Sequence, residues 1–119
     1  GSLAGSAYPT YIEFVRRGRR SDAMSALSAV LHAQEQWRAH AATYSTDLQA
    51  LGLRDTSADG HYTLSLSGAS RSGYTATATA VGQQAGDAAC KTLSLTLDTR
   101  GVHHGATGGA SARRCWGLE

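Results

Sequence analysis

The chain has 119 residues, with 11 basic and 9 acidic side chains and a formal net charge of +2. That length fits one domain rather than a multidomain enzyme, and the composition excludes an acidic or collagen-like tail. The sequence has no run of about 18 apolar residues, so the chain as given holds no membrane-spanning segment. Leu, Ile, Val and Phe together supply only 18 residues, so the core must be thin and a covalent staple is expected.

The opening Gly1-Ser2-Leu3-Ala4-Gly5-Ser6 has no Met and reads as a cloning scar and linker, residues 1–6, outside the fold. A hydrophobic segment is expected ahead of it in the native protein. Residues 7–119 read as one domain. Residues 7–44 are rich in Ala, Arg, Gln, Leu and Glu, which are good helix formers. Pro9 suits a first helical turn. Ala23, Leu27, Val30, Gln34, Trp37, Ala41 and Tyr44 recur at steps of three and four, which predicts one largely apolar helix face. Residues 45–60 follow neither period and form a connecting loop, with one short turn at Asp47–Leu51 before Gly52.

Three alternating runs follow: 61–67, 74–81 and 92–97. Each is rich in Thr, Leu or Tyr and reads as a strand of a β-meander over 61–98. Gly68–Gly73 is a hairpin connection, and Asp98-Thr99-Arg100-Gly101 is a turn. Residues 103–114 are rich in Gly and Ala without an apolar period, held only by Cys115 and Trp116. The whole predicts an α+β domain: a long N-terminal helix packed on a small antiparallel sheet. Leu27, Val30, Leu31 and Trp37 are expected to meet Leu64, Leu66, Leu93, Leu95 and Leu97.

Cys90 and Cys115 are the only cysteines. Their spacing matches neither a zinc pattern nor a Cys-x-x-Cys redox pair. One disulfide in an oxidising compartment is the better reading, with two buried thiols as the alternative. Closing such a loop stabilises a fold by about 3 kcal/mol in the chain-entropy model.

The candidate chemistry is sparse. His32, His40, His61, His103 and His104 lack metal-ligand spacing. Gly68–Gly73 is no nucleophile elbow, and Gly105–Gly109 lacks the Lys of a phosphate-binding loop. No enzyme activity, metal or other cofactor is expected. Arg16, Arg17, Arg19 and Arg20 place four positive charges within two helical turns. Lys91, Arg100, His103, His104, Arg113 and Arg114 make a second basic stretch. Either could remain a solvated surface, pair with acidic groups of a neighbour, or meet phosphates.

Four stretches carry a resemblance to a known family. They are Ala7-Tyr8-Pro9-Thr10-Tyr11 with the following Phe14-Val15-Arg16-Arg17 and Arg20-Ser21-Asp22-Ala23, the strand Gly60-His61-Tyr62-Thr63-Leu64, the segment Asp87-Ala88-Ala89-Cys90-Lys91-Thr92-Leu93, and the terminal Cys115-Trp116. Together they resemble the type IV pilins, and are most similar to minor pilins of the PilE kind. The resemblance spans Ala7 to Trp116. It implies a long helix on a small antiparallel sheet, with Cys90 and Cys115 closing the C-terminal loop, the D-region, over 90–115. It also implies a non-enzymatic minor pilin that packs with other pilin subunits through its helix, in pilus assembly, twitching motility and adhesion. The inner membrane would be met through a segment missing here. The domain would face the periplasm of a Gram-negative bacterium before assembly and lie in the pilus afterwards. Tyr8, Tyr11, Ile12, Phe14 and Val15 are the expected subunit-packing surface. Arg16, Arg17, Arg19, Arg20, Arg113 and Arg114 are the expected DNA or partner patch, because some minor pilins bind DNA for natural uptake. A type II secretion pseudopilin shares the fold but often uses calcium where this chain has its cysteine pair.

Overall fold

The computed structural model describes residues 2–118, with side chains from Tyr11 to Leu118. Helix α1 runs Ser2–Arg38, a length of about 55 Å at 1.5 Å per residue. It spans most of a molecule measuring 62 × 26 × 16 Å. Four strands follow: β1 Tyr62–Ser67, β2 Tyr74–Ala80, β3 Thr92–Asp98 and β4 Gly101–Thr107. They pair antiparallel in the order β1-β2-β3-β4. A four-residue helix α2, Ala112–Cys115, closes the fold. Among the described residues, no helix is long and apolar enough to cross a membrane.

Only the C-terminal half of α1 meets the sheet. Ala23, Leu27 and Val30 are fully buried, and their spacing of four and three puts them on one face. The strands answer with every second residue. Tyr62 of β1, Tyr74, Ala76 and Ala78 of β2, and Leu93 and Leu95 of β3 are buried beneath the helix. The central strand contributes mostly alanine, so the helix can lie close to it. On the outer face the register aligns Thr63, Thr79, Thr92 and Thr107 across all four strands. Hydroxyls pair there between Thr92 and Thr107 at 2.7 Å and between Thr75 and Thr96 at 3.0 Å. This is the polar-out alternation of a sheet with one wet face. Gly73 is required where the β1–β2 connection re-enters the sheet, because a Cβ there would lie 1.8 Å from the Leu97 carbonyl oxygen.

Polar side chains of α1 supplement this thin core. The Gln34 amide is fully buried. Its Nε2 donates to the Ser45 carbonyl and its Oε1 accepts from the Ser45 N–H, both at 2.9 Å. The buried Asp22 carboxylate accepts from the Ser57 hydroxyl and from the Asp59 N–H at 3.1 Å. These bonds pin the 45–60 loop to the helix, and those of Gln34 satisfy both backbone groups of buried Ser45.

Four expectations need correction. The helix starts at Ser2, so residues 2–6 are helical backbone rather than a linker, and Pro9 lies inside the helix, where it forgoes one i→i−4 hydrogen bond. The helix ends at Arg38 rather than near Tyr44. Gln34 draws Ser45 back against the helix, Arg38 Nη1 donates to the Ala41 carbonyl at 2.7 Å, and the Tyr44 N–H donates to Ser70 at 2.9 Å. Trp37 does not enter the core; it stays half-buried, edge-on to His40 with ring centroids 5.6 Å apart. Its place over β2 is taken by Tyr44, whose ring lies 5.1 Å from that of Tyr74. Finally, the start of the stretch 103–114, read as irregular, belongs to a fourth strand, Gly101–Thr107, that pairs with β3 along its full length.

Leu95 is 3% exposed at the centre of the helix–sheet contact. Leu95→Ala is expected to lower unfolding free energy by about 2–5 kcal/mol in urea titrations. A loss typical of a surface site would contradict this packing.

Candidate functional site

The four arginines of α1 sit in different settings. Arg20 points inward and is 7% exposed. Its Nε and Nη2 donate to the two carboxylate oxygens of Asp87 at 2.8 and 2.9 Å. This bidentate fork matches a carboxylate in both charge and shape. The bond to Asp87 outweighs desolvation and raises the pKa of Arg20. Fully buried Gln84 completes the cluster, its Nε2 donating to the Arg16 carbonyl at 2.9 Å and to the Tyr62 hydroxyl at 3.0 Å. Arg20 is therefore withdrawn from the expected DNA or partner patch. A charge on the core-facing side of a helix needs a buried partner, and that partner lies 67 residues away.

Arg16 is half-buried, its guanidinium against Gly86. Arg19 is half-buried too and, with Tyr11, Ile12, Val15, Arg16 and Gln83, lines a cavity of about 390 Å³. Arg17 stands on the opposite flank, exposed, 3.5 Å from Glu13. A solvent-exposed pair at that distance contributes little and leaves the guanidinium accessible.

The disulfide determines what faces Arg17. Cys90 and Cys115 are bonded, with Cα atoms 5.7 Å apart. Cys90 follows Asp87 closely in the chain, so the buried ion pair and the bridge act in series. The loop after β4 zips onto the Cys90 segment through Gly109 N–H to Ala88 at 3.0 Å and Ala110 N–H to Ala89 at 2.9 Å. Gly108, at φ 130°, permits this approach, because a Cβ would lie 2.5 Å from the Ala89 carbonyl oxygen. Ser111 caps α2 by accepting from the Arg114 N–H at 3.2 Å. Trp116 anchors the far end: its indole N–H donates to Gly105 of β4 at 2.8 Å, and its ring packs edge-on to His104 at 4.4 Å.

Docked this way, α2 brings Arg114 to α1. Glu13, Arg17, Arg20, Ala89, Arg114 and Gly117 line one groove of about 290 Å³. Two arginine runs at opposite ends of the sequence thus converge, with Arg17 and Arg114 both exposed and Arg20 beneath. Arg113 is exposed beside them, donating to the Leu118 carbonyl at 3.0 Å. The lining of this groove thus carries two exposed arginines, Arg17 and Arg114, and one carboxylate, Glu13.

The rest of the second basic stretch is dispersed. Arg100 lies at the tip of the β3–β4 hairpin, about 20 Å from α2 along β4 at 3.3 Å per residue. His103 Nε2 lies 3.0 Å from Asp98 on the outer face. That contact and the Arg100 N–H hold the Asp98 carboxyl below its usual range. Among the described residues no three His, Cys, Asp or Glu converge as metal ligands.

Of the expected packing residues, Tyr11 and Phe14 are 64% and 71% exposed. Ile12 and Val15 are half-buried, and the side chain of Tyr8 lies outside the described residues. Sequence reasoning missed Asp22, Gln34, Gln84 and Asp87 as buried polar anchors. Position within the apolar periodicity could have singled out Gln34; nothing local marks the others.

Breaking the buried pair is expected to be costly. Asp87→Ala should lower stability by about 3–5 kcal/mol, while joint replacement of Arg20 and Asp87 by Met and Leu should recover most of that, as read by urea unfolding. Reduction of the bridge should raise amide exchange across residues 108–117 first. Unchanged exchange there would contradict its anchoring role.

A family profile described as "Type IV minor pilin ComP, DNA uptake sequence receptor" matches residues 9–94. The match takes in α1 from Pro9 onward, β1, β2 and the start of β3, and ends before β4 and α2. A search among curated proteins returned no match.

Proposed function

We propose that this chain, which belongs to the type IV minor pilin ComP family, captures DNA in the groove between α1 and α2 while held in a pilus. The sequence put assembly, motility and adhesion first and DNA capture second. The family's description as a DNA uptake sequence receptor reverses that order. The observation that carries the reading is the convergence of Arg17 and Arg114 on one groove.

The chemistry required is modest. DNA presents a track of phosphates, and arginine binds phosphate through a planar fork of donors. Arg17 and Arg114 stand on a helix and on a disulfide-held turn, so both heads are presented with little freedom to lose. Arg113, next to Arg114, and Lys91, next to the bridged Cys90, are exposed and can extend the contact along a backbone. Such contacts fix position and orientation; base edges carry sequence information. Arg20 serves the groove from below as a structural cation already neutralised by Asp87.

Association with other pilins belongs to the same proposal. The exposed Tyr11 and Phe14 lie on the part of α1 that projects beyond the sheet, where a neighbouring subunit can cover them.

Binding should weaken steeply with salt, because phosphate contacts release counterions. Replacing Arg17 and Arg114 together by Ala should reduce the slope of log affinity against log salt by about 2, one per lost contact, with similar effect on all DNA sequences. Fluorescence titration of duplex DNA over a range of salt measures this. An unchanged slope in a variant with wild-type melting would overturn the assignment.

A further inference from the structure

Arg16 and Arg19 are left without a counter-charge. The ion pairs among the described residues join Arg17 to Glu13, Arg20 to Asp87 and His103 to Asp98. Neither Arg16 nor Arg19 takes part, yet both are half-buried, and drawing a charge out of water is costly unless another group answers it. Both line the cavity of about 390 Å³, with Tyr11, Ile12, Val15 and Gln83. No carboxylate is among these residues, in contrast to the groove between α1 and α2, which holds Glu13. The head of Arg16 lies over the bare backbone of Gly86, where a Cβ would come within 2.7 Å of its Nη2.

The lining changes character along the helix. Toward the N-terminal side the two guanidiniums give way to Val15, Ile12 and Tyr11. Ile12 and Val15 are half-buried and Tyr11 is exposed. Arg19 and Tyr11 lie about 12 Å apart along the axis at 1.5 Å per residue. One end thus offers two planar forks of donors and the Gln83 amide, and the other an apolar wall. A ligand that satisfies both ends has an anionic head and an apolar body. Duplex DNA would use the forks and leave the wall uncovered. At 100° per residue, Arg17 stands on the far side of α1 from Val15 and Arg19, so this cavity is separate from the groove that Arg17 shares with Arg114.

We infer that this cavity binds a phosphate ester carrying an aliphatic chain, with the phosphate between Arg16 and Arg19 and the chain along Val15, Ile12 and Tyr11. Phosphate suits the head because a guanidinium meets it with paired, charge-assisted hydrogen bonds. The chain suits the wall because each methylene laid against Ile12 and Val15 leaves water. A soluble alkyl phosphate and a phospholipid at a bilayer surface share this chemistry. DNA capture by Arg17 and Arg114 does not depend on it.

Calorimetric titration of the whole chain with octyl phosphate, kept below its micelle threshold, and with inorganic phosphate tests this. Octyl phosphate should bind at least about tenfold tighter than inorganic phosphate, because its chain buries apolar surface. Arg16→Gln and Arg19→Gln should each weaken octyl phosphate about tenfold, the loss of one charge-assisted contact. Ile12→Ser should bring octyl phosphate toward the affinity of inorganic phosphate, and Arg17→Gln should change neither. Urea unfolding checks that the variants fold; if Arg16→Gln melts early, Arg19→Gln decides alone. Flotation with phosphatidylcholine vesicles, with and without phosphatidylglycerol, distinguishes the sources. Retention on the anionic vesicles that survives Arg17→Gln but not joint replacement of Arg16 and Arg19 by Gln assigns the ligand to a bilayer. Octyl phosphate binding without retention assigns it to a soluble ester. Equal affinity for the two phosphates, binding indifferent to Arg16 and Arg19, or displacement of octyl phosphate by duplex DNA would overturn the proposal, the last by making the cavity part of the DNA track.

Discussion

The buried fork between Arg20 and Asp87 fixes the relation of helix to sheet on which the rest depends. Ala23, Leu27 and Val30 hold the middle of the helix by apolar contact alone. Toward the N-terminal side the sheet runs out. There the guanidinium of Arg20 reaches down to the segment between β2 and β3, with both donors matched to both carboxylate oxygens. Gln84 ties the same segment to the backbone of Arg16 and the hydroxyl of Tyr62. A buried pair of this kind confers geometry more reliably than stability. Here it sets where Cys90 lies, and through the bridge where α2 lies.

Polar anchoring recurs along α1. Asp22 holds the Ser57–His61 turn and Gln34 holds Ser45, so with Arg20 three helix side chains grip the two ends of one long loop and the β2–β3 connection. With so few large aliphatic residues in the chain, the helix–sheet contact is narrow. Directional bonds supply register that a thicker core would supply through packing. The alanines of β2 belong to the same solution, since they bring the helix close enough for short polar side chains to reach across.

Much of this was legible in the sequence because it is periodic. The alternation at Tyr62–Leu66, Tyr74–Ala80 and Leu93–Leu97 marked three strands, and the spacing of Ala23, Leu27 and Val30 marked the buried helix face. The lone cysteine pair was read as a bridge and is one. What stayed hidden depends on partners distant in the chain. Arg20 looked like its neighbours Arg16, Arg17 and Arg19, and only Asp87 distinguishes it. β4 reads Gly-Val-His-His-Gly-Ala-Thr, without alternation, because it lies at the sheet edge with its backbone paired to β3 and little side chain to bury. The early end of α1 follows from Gln34 capturing Ser45, which no local propensity announces. The groove was invisible for the same reason: Arg17 and Arg114 meet only after the sheet, the ion pair and the bridge are all in place. The family match ends at Ser94, ahead of α2 at Ala112–Cys115.

The central claim is that the bridge places Arg114 beside Arg17 so that the two act on one stretch of phosphate backbone. A double-mutant cycle on DNA affinity, run with the disulfide intact and again with Cys90 and Cys115 both changed to Ser, tests this most directly. The account predicts clear coupling between Arg17→Ala and Arg114→Ala in the bridged protein and additive effects once the bridge is gone. Additive effects in both backgrounds, or coupling that survives loss of the bridge, would contradict it.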